Sequence, residues 1–288
     1  MRAATRHDLG AVRELLDAGA QRQMQFGKED IDAFLDRGGV LLGLQDGRPL
    51  AVLVMDIEAR PATLPAAAPD RLFVRGLVVR HGSSPSAALG GLLALLHKAP
   101  QPRLLIAHSG FSWYNRSLTA AGFAAAERVH FLELDKAPQR LRALHAGAAL
   151  VTLRPGAFAD LDAVAALDAA AFSPLWHFPA SALRPLAVQG RLQTAWHGDE
   201  LVGYWLMTFS GALAHVARLA VLPQWQGRGI GRQLMLDALA AAVAAGCRTV
   251  VLNTQVDNQP AQRLYRSLGF RTTGEEFTVY TKLLAIGG

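Results

Sequence analysis

Residues 216–231 read VARLAVLPQWQGRGIG, and this stretch decides the fold. The apolar run before Pro223 predicts a strand, and residues 226–231 lead straight into a predicted helix. Three glycines between a strand and a helix allow backbone N–H groups to approach an anion at the positive end of the helix dipole. The stretch therefore predicts a site for the pyrophosphate of a phosphorylated cofactor.

Two common nucleotide-binding patterns are missing from this stretch. It lacks the Lys-Ser/Thr pair that completes a P-loop, and no acidic residue follows about 20 positions later at a strand end, as a dinucleotide site requires. The pattern therefore disfavours ATP and NAD as ligands. A short glycine-rich run is weak evidence on its own, because glycines also cap and pack helices.

A second motif follows at residues 257–270, which read DNQPAQRLYRSLGF. Residues 250–254 predict a strand, and residues 259–265 predict a helix that stops before a Gly-Phe pair. Together, QGRGIG and the Asn...Ala...LY...LGF segment closely resemble the signatures of the Gcn5-related N-acetyltransferase (GNAT) superfamily. The two motifs stand in the family's order and at a similar separation, so the resemblance is specific for the C-terminal half.

The resemblance implies that the chain binds acetyl-CoA. In such enzymes the backbone of the glycine-rich turn binds the pyrophosphate, and the end of the preceding strand pairs with the pantetheine arm like an added strand. Carried over to this sequence, it implies cofactor contacts at Leu219, Ala220, Val221, Gln226, Gly227, Arg228, Gly229, Ile230, Gly231, Arg232, Asn258 and Tyr265.

The resemblance also gives Tyr265 a catalytic role, the protonation of the departing CoA thiolate. A phenol with a pKa near about 10 can supply this proton if it lies within hydrogen-bond reach. The alternative is a core aromatic residue at helical spacing with Leu264 and Leu268.

Direct attack on a thioester needs a neutral amine, so a base or a water path must first remove a proton. The polar candidate nearest to the cofactor strand is His215, whose ordinary pKa of about 6.5 suits this task. Strand alternation predicts that His215, Ala217, Leu219 and Val221 share one face. The alternative is a structural or solvated histidine.

GNAT enzymes commonly build the acceptor pocket from the loop between the first two helices, here residues 172–179. This loop contains Trp176, His177 and Phe178, which either line a pocket or cover the core. The family layout adds Gln255 and Tyr280 as substrate contacts. The expected acceptor is a small-molecule amine or a protein N-terminus; a polyamine, an amino acid, an aminoglycoside and a thiol-sugar amine all remain open.

The two halves of the chain repeat one pattern. Placing Arg2 on Arg154 also places Asp8 on Asp160, and further on residues 75–79 meet residues 217–221. Each half predicts a strand, a helix, a hairpin, a strand, a helix, a strand, a helix and a strand.

We therefore expect an α/β (α+β) fold of two tandem GNAT-like domains, residues 1–146 and 147–288. Each domain should have a mixed, mostly antiparallel central sheet flanked by helices. Residues 140–144 predict a short helix in the linker before a boundary near Gly147. The plan resembles tandem GNAT proteins such as mycothiol synthase.

The N-terminal domain lacks the features that carry the chemistry. SPSAAL at residues 84–89 stands where the second half has QGRGIG, and its proline removes one N–H donor. Leu118 stands opposite Tyr265. We expect this domain to be degenerate, without catalysis and without CoA binding in the standard manner. Because Tyr114 and Asn115 are present, CoA binding by this domain stays an open alternative.

Composition excludes several classes of protein. Hydrophobic residues make up 51% and charged residues 18%, which excludes disorder. No apolar run approaches the roughly 18 residues that span a bilayer, and the N-terminus lacks the apolar core of a signal peptide. A soluble cytoplasmic protein without membrane binding is expected.

The single cysteine, Cys247, excludes an intrachain disulfide and is expected to be buried and inert. No histidine or cysteine spacing predicts a metal site.

The net charge of +6 indicates a general preference for anions, but the basic residues form no block and no nucleic acid is expected as a partner. A pseudo-dimer within one chain predicts a monomer. Two alternatives to catalysis remain open: a non-catalytic acyl-CoA sensing module, and association with RNA or the ribosome.

Overall fold

The computed structural model describes residues 1–58, 69–98, 103–144 and 149–284. The chain forms two compact units, of which the first comprises Met1–Arg128 and Glu276–Gly288 and the second comprises Val129–Glu275. Each unit thus includes strand residues from the other half of the sequence. The expected domain boundary near Gly147 falls outside the described residues and remains a prediction.

Apart from β2, the described strands follow the expected order in both halves. They are β1 (Arg2–Ala3), β2 (Gln21–Met24), β3 (Val40–Gln45), β4 (Arg48–Glu58), β5 (Asp70–Val79), β6 (Arg103–Ser109), β7 (Ala124–Leu134), β8 (Thr152–Pro155), β9 (Gly190–His197), β10 (Glu200–Ser210), β11 (Leu213–Val221), β12 (Thr249–Gln255) and β13 (Arg271–Leu284).

The helices begin and end near the predicted caps. They are α1 (Leu9–Ala18), α2 (Ile31–Asp36), α3 (Pro85–Leu93), α4 (Ser112–Ala120), α5 (Ala137–Ala143), α6 (Leu161–Ala171), α7 (Ala180–Gln189), α8 (Ile230–Ala244) and α9 (Gln259–Ser267). Short 3-10 helices lie at Arg6–Asp8, Lys28–Asp30, Ala94–Lys98, Phe158–Asp160 and Pro223–Trp225.

The sheet of the first unit has the strand order β1-β3-β4-β5-β6-β13. Neighbours are antiparallel except β5 and β6, which are parallel. Along β4, Val52 and Val54 pack with α1 and α2, whereas Leu53 and Met55 pack with α3 and α4. Because helices cover both faces, this strand reads as a continuous apolar run.

The second unit repeats this plan with the order β7-β12-β11-β10-β9-β8. Only β11 and β12 are parallel among these described neighbours. On β10, Trp205 and Met207 face a core that includes α8, and Tyr204 and Leu206 face a core that includes α6 and α7. The expected architecture, a mixed and mostly antiparallel sheet flanked by helices, is confirmed.

A β-bulge in β11 changes which residues share a face. Leu206 on β10 pairs with Arg218, but the next residue, Met207, pairs with Val216, so Ala217 is the extra residue. The expected common face of His215, Ala217, Leu219 and Val221 is therefore wrong. His215, opposite Thr208, lies on the same face as Arg218 and Ala220.

The parallel strands β11 and β12 part soon after they begin. Their pairing runs only from Leu213 with Thr249 to His215 with Val251. Beyond that point β11 keeps its antiparallel partner β10 on one edge. On the other edge, no strand among the described residues pairs with residues 216–221.

The corresponding edge of the first unit is filled by the chain itself. Pairing of β5 with β6 ends at Val74, and β2 then pairs antiparallel with residues 76–79 of β5. Because β4 occupies the opposite edge of β5 over its whole length, β2 lies where the second unit leaves an open edge. The Gln23 side chain on β2 donates to the carbonyl of His108 on β6, so a hydrogen bond also connects β2 to the strand that has parted from β5.

Local signals predicted most of these elements. Both hairpins, the short helix near residues 140–144 and the two motif helices are confirmed. The repeat unit omitted α7 because Pro185 interrupts its helical pattern. It also omitted β2, whose sequence QRQM shows none of the apolar alternation of a strand.

Cys247 is buried in the core of the second unit, as expected. Within the described ranges, no helix combines the length and the hydropathy needed to span a bilayer. The described residues also contain no group of three or more His, Cys, Asp and Glu side chains placed to hold a metal ion.

Candidate active site

The turn before α8 presents a row of backbone donors to solvent. Gly227 and Gly229 have φ values of 74° and 90°, a left-handed conformation that residues with a Cβ rarely adopt. No acceptor among the described residues binds the N–H groups of residues 227–231. Five consecutive N–H groups at a helix N-terminus form an anion site without any lysine.

The side chain of Gln226 holds this turn against the strand that precedes it. Its Nε2 donates to the carbonyl of Val221 at 2.9 Å. Arg228 lies beside the turn with its guanidinium 4.6 Å from the centre of the Trp225 ring, and Arg232 lies partly exposed in the first turn of α8. The glutamine of the motif thus positions the donors of residues 227–231, while its own N–H donates to the carbonyl of Pro223.

The residues present fit the pyrophosphate and the pantetheine arm of acetyl-CoA. The turn supplies donors for the charged group, and the open edge of β11 supplies a backbone ladder at Leu219, Ala220 and Val221 to which an extended amide chain can add. The carbonyl of Val221 also accepts from Gln226. The structure brings all of these predicted cofactor residues to one end of β11.

Asn258 begins the helix that carries the candidate proton donor. Its Oδ1 accepts from the backbone N–H of Ala261 at 3.2 Å, which makes it the N-cap of α9. Gln262, nearly fully buried, donates to the carbonyls of Gln255 and Val256 at the end of β12. These contacts fix α9 to β12 and so fix the position of Tyr265.

Tyr265 is 8% exposed and its ring packs at a tilt against Phe270, with ring centres 5.9 Å apart. Burial raises the pKa of Tyr265 to about 12, and the positive charge of Arg218 acts against this rise. The phenol therefore keeps its proton throughout the neutral range. It can act as a donor there but not as a base.

His215 lies half-buried in β11, where the pairing with β12 ends. Burial lowers the pKa of the imidazole below its ordinary value. The ring is therefore neutral at pH 7 and is able to accept a proton.

The predicted acceptor loop is anchored to β11 by its aromatic residues and its backbone. The Arg218 guanidinium lies 3.9 Å from the ring centre of Phe172 and 4.2 Å from that of Phe178. Arg218 also donates to the carbonyl of Trp176, while His177 is only 2% exposed. Phe178 thus packs against a charged group, and its role as a substrate contact remains a prediction.

The two contacts expected from the family layout lie in different places. Gln255 is half-buried at the end of β12, beside the turn that leads to α9. Tyr280 belongs to the first unit, where it pairs with Ala107 and packs in the core with Tyr114 and Leu118. The role of Tyr280 as a substrate contact remains a prediction.

Sequence reasoning missed a buried polar cluster of three residues. Asp168 on α6 binds Arg218, and its carboxylate also accepts from the hydroxyl of Tyr204. A signal was present: Asp168 shares the apolar stripe of α6 with Leu161 and Val164, where a carboxylate requires a partner.

A family model described as acetyltransferase (GNAT) family matches residues 161–270. The mycothiol acetyltransferase of Actinosynnema mirum is 32% identical over 225 residues, which cover 70% of this chain and 72% of that protein. The mycothiol acetyltransferase of Corynebacterium efficiens is 36% identical over 88 residues, which cover 30% of this chain but only 29% of that protein.

Among solved structures, a tandem GNAT protein from the clavulanic acid biosynthesis pathway is similar to this chain with a TM-score of 0.64 and 18% identity. The similarity covers 99% of this chain and 97% of that one. At this identity it shows the fold alone, and it agrees with the two repeated units. GNAT proteins use acetyl-CoA as a co-substrate. By its signatures, its family match and its relative of similar length, the chain belongs to the GNAT family and is an N-acetyltransferase.

Proposed function

We propose that this protein transfers the acetyl group of acetyl-CoA to a primary amine by direct attack of the amine, and that its C-terminal domain, residues 147–288, carries the reaction. The observation that carries the proposal is the free donor row of residues 227–231 next to the open edge of β11. A surface with both features would fit a long ligand that is anionic at one end and amide-bearing along its length.

When bound, acetyl-CoA supplies an acyl carbon that is activated by its thioester. The backbone N–H groups of residues 227–231 would hold the pyrophosphate, and the edge of β11 would orient the arm. The amine must lose a proton, and the neutral imidazole of His215 receives it directly or through water. The phenol of Tyr265 donates to the negative charge that develops on the sulfur.

The role of His215 predicts a fall of activity toward acid. Because burial lowers its pKa, the wild type should lose kcat/KM only as pH falls through an apparent pKa below about 6.5. His215→Gln should lower kcat about 100-fold and abolish this acid limb. Initial rates between pH 5 and 8 measure both effects, with His81→Gln in an exposed turn as the control. An unchanged acid limb in His215→Gln would exclude His215 as the base.

We further propose that the N-terminal domain neither catalyses nor binds CoA. β2 runs along the edge that the pantetheine arm would need. At the start of α3, the Ser84 hydroxyl accepts the N–H of Ala87, and Pro85 has no N–H to offer. Leu118, at the place of the proton donor, is buried in the core.

A screen of acceptors tests the proposed reaction. The purified chain is incubated with acetyl-CoA and single amines, and the release of CoA thiol is followed. The panel contains polyamines, amino acids, aminoglycosides, peptides with free N-termini and de-acetylated mycothiol, which is included because several relatives are named mycothiol acetyltransferase. Acetyl transfer to at least one amine supports the proposal. Tight acetyl-CoA binding without turnover would favour the non-catalytic sensing module.

The remaining expectations concern partners. A monomer is predicted, because the chain already contains two copies of one unit; sedimentation at micromolar concentration checks this. Binding to RNA is not expected, and a binding constant that falls steeply with salt concentration would contradict that.

A further inference from the structure

A buried ion pair connects α6 to β11, and the loop of residues 172–179 is bound to both of its members. Asp168 is 0% exposed and Arg218 is 8% exposed. The guanidinium binds both carboxylate oxygens: Nε donates to Oδ2 at 3.0 Å, and Nη2 donates to Oδ1 at 2.8 Å. This bidentate geometry fixes the orientation of both groups.

The same pair determines the path of the loop. The Asp168 carboxylate accepts from the backbone N–H of Phe178, and Arg218 donates to the carbonyl of Trp176 at 3.0 Å. The guanidinium also packs on the rings of Phe172 and Phe178. The loop is thus held at its beginning and at its end by one side chain of the sheet.

Arg218 is connected to three parts of the proposed site: the bulge of β11 beside His215, the unpaired edge of β11, and the phenol of Tyr265. It follows the bulge of β11 directly and lies on the same face as His215. It is also part of the stretch whose outer edge has no strand partner among the described residues. Its charge acts on the phenol of Tyr265.

We propose that Arg218 and Asp168 are positioning residues of the acceptor site, which hold the loop of residues 172–179 against the β11 bulge so that the amine meets the thioester. This assignment rests on the proposed function. A buried ion pair is an inefficient way to stabilise a core, because desolvation offsets most of the attraction between the charges. Its directional bonds instead fix one conformation of the loop.

The test compares variants of the full chain in which the pair is changed in different ways. Arg218→Lys keeps the charge but loses the fork, and the double variant Asp168→Asn with Arg218→Gln removes both charges and leaves neither one buried alone. Arg154→Gln is the control, since Arg154 packs on the ring of Trp196 in the same unit without contact to the loop. Three quantities are measured: the acetyl-CoA Kd by calorimetry, and kcat and the acceptor KM with an amine that the wild type acetylates.

The double variant should raise the acceptor KM about tenfold or more, and Arg218→Lys should raise it less. The acetyl-CoA Kd should stay within about twofold in both, because the pyrophosphate turn is not touched. An unchanged acceptor KM in folded variants would overturn the assignment. A joint fall of acetyl-CoA affinity and melting temperature would also overturn it, because it would indicate a purely structural role for the ion pair. Absence of turnover by the wild type would remove the proposed function itself, and the assignment with it.

Discussion

Gly229→Glu abolishes the binding of acetyl-CoA, with an expected loss of about 100-fold or more in affinity. Its side chain would place a carboxylate among the five N–H donors of residues 227–231, where a pyrophosphate and a carboxylate compete for the same positive potential. Calorimetric titration with acetyl-CoA measures the change.

Three control variants separate charge from strain. Gly229 has a φ of 90°, and a Cβ there would lie 3.1 Å from Leu150. Gly229→Gln has the size of the glutamate without its charge and should bind more tightly than Gly229→Glu. Gly229→Ala introduces only the strained Cβ, which costs about 1–2 kcal/mol of stability. Gly198→Glu, at another left-handed glycine of the same unit, should bind like the wild type. Equal losses in Gly229→Gln and Gly229→Glu would mean that the anion site is misplaced.

Tyr265→Phe lowers kcat about 100-fold to 1,000-fold, while the acetyl-CoA Kd stays nearly unchanged. The substitution removes only the hydroxyl and keeps the ring that packs on Phe270. Because burial raises the pKa of Tyr265 to about 12, the loss should be the same at every pH from 7 to 10. Steady-state rates with a saturating amine measure it.

Tyr114→Phe is the matched control, because Tyr114 is a fully buried tyrosine of the first unit and lies outside the candidate site. It should leave kcat unchanged. A wild-type rate in Tyr265→Phe would show that another group or water protonates the thiolate. A loss of acetyl-CoA affinity together with the loss of kcat would instead mean that the phenol contributes to cofactor binding.

The sequence predicted features whose signals lie within a few neighbouring residues. Gly227 and Gly229 adopt the left-handed backbone that glycine permits, and the Asn-Gln-Pro start of α9 shows a helix cap. These local rules were sufficient to locate the turn, the strand before it and the candidate donor Tyr265. The family resemblance then supplied the ligand.

Features that depend on distant residues were not predicted. The bulge of β11 inserts Ala217 between the residues that pair with Leu206 and Met207 of β10, and so alternation counted along one strand placed His215 on the wrong face. Asp168 and Arg218 are 50 positions apart, and only the fold brings them together. β2 is a short polar strand that forms because β5 offers it a free edge.

The edge of β11 and the corresponding edge of β5 indicate how many acetyl-CoA molecules we expect the chain to bind. In the second unit, no strand among the described residues pairs with residues 216–221 on the edge opposite β10, whereas in the first unit β2 pairs with residues 76–79 on the edge opposite β4. A backbone ladder can accept only one partner on each edge. We therefore expect the first unit to bind no acetyl-CoA, because β2 already occupies this edge of β5.

Calorimetric titration of the wild-type chain with acetyl-CoA counts the cofactor sites. We expect one binding site per chain, which Gly229→Glu removes entirely. Two sites per chain, or one site that survives Gly229→Glu, would contradict the assignment of the cofactor to the second unit alone. Absence of binding at millimolar acetyl-CoA would contradict the proposed reaction as a whole.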